Sequence, residues 1–126
     1  SKLAFMKILI IEDNAIQALT LETIVKRLGF KEVEKAYSAH NAYKILETFK
    51  PDLMLVDINL GTEETGIDIV KKVQQEVPAR VLYITGNSDL HHKTKADETD
   101  YFGYMVKPID PHKLEKILAE EQTLPS

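Results

Sequence analysis

Five polar residues follow short apolar runs of this sequence, at the points where the chain would leave buried strands. Glu12 and Asp13 follow the first run, Asp57 ends the third, Thr85 the fourth and Lys107 the last. Crowded carboxylates repel one another unless a cation joins them, and a hard ion such as Mg²⁺ binds carboxylates, waters and phosphate oxygens. A carboxylate nucleophile beside such an ion and a lysine suits phosphoryl transfer, in which positioning and charge neutralisation supply most of the catalysis.

Each of these residues also has a purely structural explanation. Glu12 and Asp13 could cap the next helix and complement its charge, and Asp57 could be ordinary loop chemistry. Thr85 could belong to a turn, and Lys107 could be a solvated side chain. For any one residue alone, the structural explanation is the better one. The phosphoryl-transfer interpretation depends on all of them meeting at one edge of a sheet, which the elements between them must bring about.

Short apolar runs predict strands that are buried on both faces, as in a parallel sheet covered by helices. Four runs are clear and a fifth is weaker. The clear runs are residues 8–11, 53–56, 81–84 and 104–106, and the weaker one is 33–37.

Apolar stripes with helical spacing lie between the strands and predict helices. Gly29 is placed to end the first helix, Ser38 and Pro51 to start and end the second, and Asp110 with Pro111 to start the last. The stripes are Leu21, Ile24, Val25 and Leu28; Ala42, Ile45, Leu46 and Phe49; Ile69, Val70, Val73 and Val77; and Leu114, Ile117 and Leu118.

The polar stretch 88–100 departs from this pattern. It offers mainly Leu90 and Ala96 to a core, so a helix in this stretch would be weakly anchored. The pattern therefore predicts that this is the least firmly attached part of the chain.

The alternation of strands and helices predicts an α/β fold, a flavodoxin-like doubly wound (βα)5 sandwich with a parallel sheet of order 2-1-3-4-5. In that order the first and third strands are neighbours, so Asp13 lies beside Asp57, with Thr85 and Lys107 arriving from the other side. Ligands of open α/β sheets bind at the carboxyl ends of the strands. The topology therefore brings the five polar residues together.

The composition is that of one ordinary globular domain. The chain has 126 residues, no cysteine and a net charge of −4. The absence of cysteine excludes a thiolate metal site and fits a cytoplasmic protein, and the charge offers no basic field for direct binding of nucleic acid or a membrane surface. We expect one domain over residues 6–121, with 1–5 an expression remnant or disordered start and 122–126 a tail or the start of a linker.

Four motifs in this order resemble the receiver domain of two-component response regulators, including the single-domain chemotaxis regulator. The resemblance covers residues 7–119. The motifs are Ile10-Ile11-Glu12-Asp13-Asn14, Leu55-Val56-Asp57-Ile58-Asn59-Leu60, Tyr83-Ile84-Thr85-Gly86 and Gly103-Tyr104-Met105-Val106-Lys107-Pro108.

The resemblance implies that Asp57 is the phospho-acceptor and that Mg²⁺ (or Mn²⁺) is the cofactor. Glu12 and Asp13 match the acidic pair that holds the metal together with Asp57, and Asn59 matches the residue whose backbone carbonyl completes the metal shell. A phosphohistidine on a sensor kinase or phosphotransfer protein would be the donor. The domain would catalyse only its own phosphorylation and dephosphorylation.

The resemblance also implies a switch. Thr85 matches the hydroxyl that bonds the phosphoryl group, Lys107 the lysine that pairs with it, and Tyr104 the aromatic switch residue, and the Lys107-Pro108 bond is expected to be cis. Phosphorylation would change the face of the fourth helix, fifth strand and fifth helix, which an output domain, an effector or a second copy in a homodimer would recognise.

The chain departs from the family pattern in three places. The acidic pair begins with Glu12 where the family more often has aspartate. The loop 60–66 lacks the usual proline after Leu60 and is one residue longer than in the chemotaxis regulator. Bulky Tyr101 and Phe102 replace small residues, which affects how the fourth helix docks.

Three other functions compete with this interpretation. A haloacid-dehalogenase-type phosphatase also uses an aspartate and Mg²⁺, but needs a second aspartate where this chain has Asn59, and places its nucleophile after the first strand. A receiver-like interaction module would no longer phosphorylate. A flavin or nucleotide module would need a glycine-rich phosphate loop where this chain has Glu12 and Asp13.

Overall fold

Five parallel strands form one sheet in the predicted order β2-β1-β3-β4-β5. The structure is a computed structural model that describes residues 2–86 and 90–123. Each strand lies within one or two residues of its predicted run. The strands are β1 (Lys7–Ile11), β2 (Glu32–Ala36), β3 (Leu53–Asp57), β4 (Arg80–Thr85) and β5 (Gly103–Val106).

The burial of the strands explains why their sequence signals differ in strength. All five residues of the central β3 are buried, as continuous apolar runs in a covered parallel sheet should be. The edge strand β2 instead alternates between exposed and half-buried residues until Ala36, which is buried. An edge strand needs fewer apolar residues, so its run is the weakest of the five.

The first four helices connect successive strands, and three of them begin at side-chain caps, of which Ser38 was predicted. Asn14, Ser38 and Thr65 each accept a backbone N–H bond from the first turn of the helix that follows. Gly29 ends the first helix with φ of 114°, which suits glycine. The helices are α1 (Ala15–Leu28), α2 (Ala39–Leu46), α3 (Gly66–Gln74), α4 (Leu90–Ala96) and α5 (Pro111–Thr123).

Two helices end earlier than the sequence pattern indicated. Helix α2 stops at Leu46 rather than near Pro51, and α3 stops at Gln74 although Val77 continues its apolar stripe. Phe49 and Val77 are still half-buried against the core from the turns that follow the helices. Apolar spacing therefore predicted which residues face the core, but not where the backbone leaves the helix.

The helices cover both faces of the sheet and create two cores. On one face α2, α3 and α4 pack against residues that include Met54, Val56 and Tyr83. On the other face α1 and α5 pack against residues that include Leu55 and Ile84. Successive residues of β3 thus point into different cores, as the pleat of a strand requires.

The carboxyl end of α4 is anchored to the core. Ala96 is fully buried, and after the helix the Tyr83 hydroxyl and Thr99 Oγ1 are hydrogen-bonded at 2.7 Å. Residues 88 and 89, which belong to the stretch that we expected to be weakly anchored, lie outside the described residues. Attachment through Thr99 and Tyr83 was not predicted, because it joins residues far apart in sequence.

Regular structure extends beyond the expected domain, residues 6–121, at both ends of the described chain. Lys2–Phe5 form a 3-10 turn, and Leu3 is half-buried against the core of the α1–α5 face. Helix α5 reaches Thr123, so it includes the first two residues of the expected tail, and 124–126 lie outside the described residues. No helix within residues 2–86 and 90–123 is long and apolar enough to cross a membrane.

Candidate functional site

The carboxyl ends of β1 and β3 lie side by side because the two strands pair, with Ile11 opposite Val56. Glu12 and Asp13 directly follow β1, and Asp57 is the last residue of β3. The strand order therefore brings together carboxylates that are more than forty residues apart in sequence.

Three carboxylates form a tight acidic cluster at this edge. One oxygen from each of Glu12, Asp13 and Asp57 lies within 4.8 Å of the others. Glu12 and Asp57 are buried, with 1% and 4% of their surface exposed, whereas Asp13 is exposed. Although Asp13 is exposed, the protein removes part of the water around its carboxyl group, which raises its pKa above the ordinary value of 3.8. The neighbouring Glu12 carboxylate raises the pKa of Asp13 further. Closely spaced oxygen ligands that carry excess negative charge fit a hard divalent cation such as Mg²⁺.

Lys107 provides the positive charge of this edge. Its Nζ donates to Glu12 Oε1 at 2.9 Å and to Asp57 Oδ2 at 3.0 Å. Burial lowers the pKa of Lys107, but the hydrogen bonds to the two carboxylates outweigh burial and raise it, which favours the ammonium form. The backbone N–H of Lys107 donates to the Thr85 carbonyl at 2.7 Å, and the Lys107-Pro108 bond is cis, as the resemblance implied. The direct bond to Glu12 was not predicted.

The loop after β3 forms one wall of the cluster. The N–H of Asn59 donates to Asp57 Oδ1 at 3.1 Å, and the N–H of Gly61 donates to Asn59 Oδ1 at 3.0 Å. Gly61 has φ of 74°, and a Cβ there would lie 3.6 Å from Asp13 Oδ2. The loop therefore runs close to two of the carboxylates. The role of the Asn59 backbone carbonyl as a metal ligand remains a prediction.

Gly66 at the start of α3 is a site residue that the sequence did not reveal. A Cβ at this position would lie 2.2 Å from the backbone oxygen of Asp57 and 2.6 Å from Val56 Cγ1, far inside van der Waals contact. Only glycine lets the first turn of α3 approach the end of β3 this closely. The one available signal was a glycine directly after the Thr65 cap, where other residues would start a helix more favourably.

Thr85 lies on β4, which is the neighbour of β3, and Tyr104 lies on β5, the next strand along the sheet. Thr85 is buried at the end of β4, at the same sheet edge as Asp57. Tyr104 of β5 is opposite Tyr83 of β4 and is half-buried against the core of the α2–α3–α4 face. The Nζ of Lys93 in α4 lies 5.9 Å from the centre of the Tyr104 ring. The switching roles of Thr85 and Tyr104 remain predictions.

The bulky pair before β5 is divided between the two cores. Tyr101 packs against Tyr83, with ring centres 5.4 Å apart and an interplanar angle of 58°, and its hydroxyl bonds Lys93 and Asp97. Phe102 packs against the core of the α1–α5 face. Tyr101 therefore adds contacts to α4 and to the turn that follows it.

Comparison with known proteins gives one family. The sequence model of the response regulator receiver domain matches residues 8–119. The chain is 27% identical over 115 residues to the sensory transduction protein LytT of Bacillus subtilis (strain 168), covering 90% of this chain and 46% of that protein. It is 30% identical over 115 residues to the transcriptional regulatory protein DpiA of Escherichia coli (strain K12), covering 90% and 50%. The chain therefore spans about half the length of these curated relatives.

Solved structures agree with the fold and with the family. The N-terminal domain of a response regulator/sensory box/GGDEF protein from Carboxydothermus hydrogenoformans has a TM-score of 0.81 and 30% identity, covering 90% of this chain and 91% of that chain. A CheY-like receiver domain from Methanospirillum hungatei has a TM-score of 0.84 and 25% identity, covering 92% of each chain. Domains of this family are signalling modules that typically bind Mg²⁺ and interact with histidine kinases and output domains. Its acidic edge, its strand order and its matches over residues 8–119 together show that the chain belongs to the receiver domain family of two-component response regulators.

Proposed function

We propose that Asp57 accepts a phosphoryl group from a phosphohistidine on a partner kinase or phosphotransfer protein. One observation carries this proposal. The Asp57 carboxylate shares an acidic cluster with Glu12 and Asp13, while its Oδ2 lies 3.0 Å from Lys107 Nζ. A nucleophile, oxygen ligands for a cation and a fixed positive charge thus meet at the end of a central strand.

The transfer needs little covalent chemistry from the protein. A carboxylate oxygen of Asp57 attacks phosphorus, the bond between phosphorus and the histidine nitrogen breaks, and the imidazole leaves. Glu12, Asp13, Asp57 and the Asn59 backbone carbonyl would hold a divalent cation, which would supply positive charge beside the phosphoryl oxygens. Lys107 adds a second positive charge beside the acceptor, so the catalysis is mostly positioning and charge neutralisation.

The same phosphoryl group would switch the face formed by α4, β5 and α5. Its oxygens would attract the Thr85 hydroxyl, and Tyr104 would fill the space that Thr85 leaves. The contacts of Tyr104 support this coupling, because it lies beside Tyr83 on the sheet and beneath Lys93 on α4. A local change of charge would then bias an element with two arrangements, which an output domain or effector would recognise.

The donor protein would dock beside the acidic edge, on the first turns of α1. Ile16 and Leu19 are 77% and 54% exposed, and they share one face of the helix because they are three residues apart. Gln17 and Thr20 of the same helix line a groove with Pro108, next to Lys107. An apolar patch beside the acceptor suits a protein donor, which must hold its phosphohistidine against Asp57.

Labelling with a small phosphodonor tests the proposal directly. Incubation with acetyl phosphate or phosphoramidate and Mg²⁺ should label the chain once, and Asp57→Asn should abolish the label because the nucleophile is lost. Asp100→Asn, a matched change at an exposed aspartate in another part of the chain, should label normally. Normal labelling of Asp57→Asn would assign the acceptor to another residue, and no labelling of the unaltered chain would support the interaction module.

The phosphatase alternative predicts turnover. Asn59 stands where that mechanism needs a second carboxylate, and its side chain accepts the N–H of Gly61. A receiver domain should not hydrolyse a generic phosphomonoester such as p-nitrophenyl phosphate, whereas the phosphatase should do so continuously. Sustained release of p-nitrophenol that Asp57→Asn abolishes would favour the phosphatase.

A further inference from the structure

The side chain of Glu64 ties the loop after β3 to two helices. The hydroxyl of Tyr43 in α2 donates to Glu64 Oε2, and the Nζ of Lys72 in α3 donates to the same oxygen at 3.1 Å. The Lys72 ammonium also lies 5.3 Å from the centre of the Tyr43 ring. We call these three residues the Glu64 clamp. It spans the gap between α2 and α3 and holds the loop from outside.

The loop held by the Glu64 clamp is closed at its base. The N–H of Gly66 donates to the Ile58 carbonyl at 2.8 Å, so residues 59–65 leave and rejoin the domain at one place. Within the loop, the Thr62 hydroxyl donates to the backbone carbonyl of Glu64 at 2.9 Å. The first half of the loop is the wall that contacts Asp57 and Asp13. The Glu64 clamp therefore acts on the second half of the loop, only a few residues along the chain from the wall.

The loop needs such a restraint because its sequence allows the backbone many conformations. It contains Gly61 and lacks the proline that is usual after Leu60 in the family, so ordering it costs more backbone entropy. Its tip, residues 61–63, is exposed. With little burial at the tip, the shape of the loop depends on the side-chain bonds that cross it.

The chemistry of the Glu64 clamp favours a persistent contact. One carboxylate oxygen accepts two donors, one of them charged, and Glu64 is only 30% exposed. Burial raises the pKa of Tyr43, and the Glu64 carboxylate raises it further, so the phenol keeps the proton that it donates. An isolated surface ion pair contributes little, but this pair shares its acceptor with a half-buried tyrosine.

We propose that Glu64 is a positioning residue for the cation site, which holds residues 59–61 against Asp13 and Asp57 through its bonds to Tyr43 and Lys72. This inference rests on the proposed function, because it requires a divalent cation to bind at the acidic cluster. Glu64 itself does not touch the cation. It acts by keeping the wall of the site in place.

Magnesium binding in the absence of any phosphodonor tests the clamp. We expect Tyr43→Phe and Glu64→Gln each to raise the dissociation constant for Mg²⁺ by about threefold to tenfold, as measured by calorimetric titration. Changing a residue that orients a metal ligand typically weakens metal binding by about tenfold or more, and Glu64 acts less directly. Urea unfolding in EDTA reports whether each variant is folded. The loss of affinity in the double variant should be smaller than the sum of the two single losses, because both changes weaken the bond between Tyr43 and Glu64.

Two variants separate positioning from a simple effect of charge. Glu63→Gln removes the same charge from the neighbouring exposed residue and should leave the affinity unchanged. Lys72→Met removes a positive charge, which would strengthen Mg²⁺ binding by electrostatics alone, whereas the clamp predicts weaker binding. The inference is overturned if Lys72→Met binds more tightly, or if Glu63→Gln weakens binding as much as Glu64→Gln.

The unaltered chain distinguishes failure of the clamp from failure of the cation site. If the chain binds Mg²⁺ and Asp13→Asn abolishes binding, while Tyr43→Phe binds normally, the clamp alone is wrong. If the unaltered folded chain does not bind Mg²⁺, both the cation site and the clamp are wrong.

Discussion

At the scale of single residues, repulsion between crowded carboxylates determines the electrostatics of the site. Lys107 bonds directly to Glu12 and Asp57, and its charge is the weakest of the influences on the pKa of Asp13. The charge of Lys107 therefore offsets little of the rise in the pKa of Asp13 that burial and Glu12 cause. Carboxylates that are grouped to bind a cation repel one another when the cation is absent. This repulsion destabilises the fold, so the arrangement that suits function lowers the stability of the metal-free protein.

Asp13→Asn should stabilise the metal-free protein. In EDTA at pH 7 we expect the free energy of unfolding, measured with urea, to rise by less than about 1 kcal/mol, since exposure screens the repulsion. The folded-state pKa of Asp13 is raised above 3.8, so the charged form destabilises the fold above that pKa. The gain should shrink as the pH falls through the raised pKa and vanish below 3.8, where Asp13 is protonated in both states. In saturating Mg²⁺ the unaltered chain should be the more stable one, and a loss of stability in EDTA would contradict this account.

The strands position the site because its residues lie at or directly after their carboxyl ends. Strands β1, β3 and β4 stop at Ile11, Asp57 and Thr85, and the order of the sheet puts those ends at one edge. Helix α4 spans seven residues, and the turn after it is bonded to the sheet. There Thr99 Oγ1 donates to the Ala96 carbonyl at 2.7 Å, so the Tyr83 hydroxyl must be the donor in its bond to Thr99. The carboxyl end of α4 is therefore fixed to β4, an interior strand of the sheet.

Tyr83→Phe should loosen α4 without disturbing the centre of the sheet. Loss of the bond to Thr99 should lower the free energy of unfolding by about 0.5–1.5 kcal/mol. Amide hydrogen exchange at Asp97 and Thr99 should accelerate more than exchange at Ile10 in β1, because the lost bond is local. Tyr37→Phe, a matched change at an exposed tyrosine, should alter stability by less than about 0.5 kcal/mol. Equal acceleration at Ile10 would show that Tyr83 supports the whole fold rather than α4.

At the scale of the whole molecule, the acidic edge lies between two surfaces that we propose for different partners. The first turns of α1 flank the edge on one side, and α4 and β5 flank it on the other. The chain spans about half the length of its curated relatives, and domains of this family interact with output domains as well as kinases. Input and output can therefore use separate surfaces that meet only at Asp57.

Replacing Ile16 and Leu19 together with alanine should slow transfer from a protein donor but not from a small one. With a purified histidine kinase that phosphorylates the unaltered chain, we expect the transfer rate to fall about tenfold, which corresponds to a loss of about 1.4 kcal/mol of docking energy. Labelling by acetyl phosphate should be unchanged. Phe5→Ala is the control, because Phe5 is exposed and apolar but precedes β1 at the opposite end of the strand. An equal loss with acetyl phosphate would indicate damage to the site itself.

The sequence alone was sufficient to predict much of the fold and the clustering of three carboxylates. Apolar runs marked the strands within two residues, since a strand buried on both faces must be apolar throughout. The caps Ser38 and Asp110 were readable because a helix start is a local chemical requirement. Glu12, Asp13 and Asp57 were grouped correctly, since their place after the strands and the family resemblance both depend on residue type and order.

Contacts between distant residues were decided only by the tertiary structure. The bond from Lys107 to Glu12 joins residues ninety-five apart, and the bonds of Tyr43 and Lys72 to Glu64 join three elements. The need for glycine at position 66 appears only when α3 is packed against β3. A sequence records local propensity and the order of elements, but it does not record which side chains face each other across a gap. Helix packing sets those distances, and it therefore determines how the predicted residues work together.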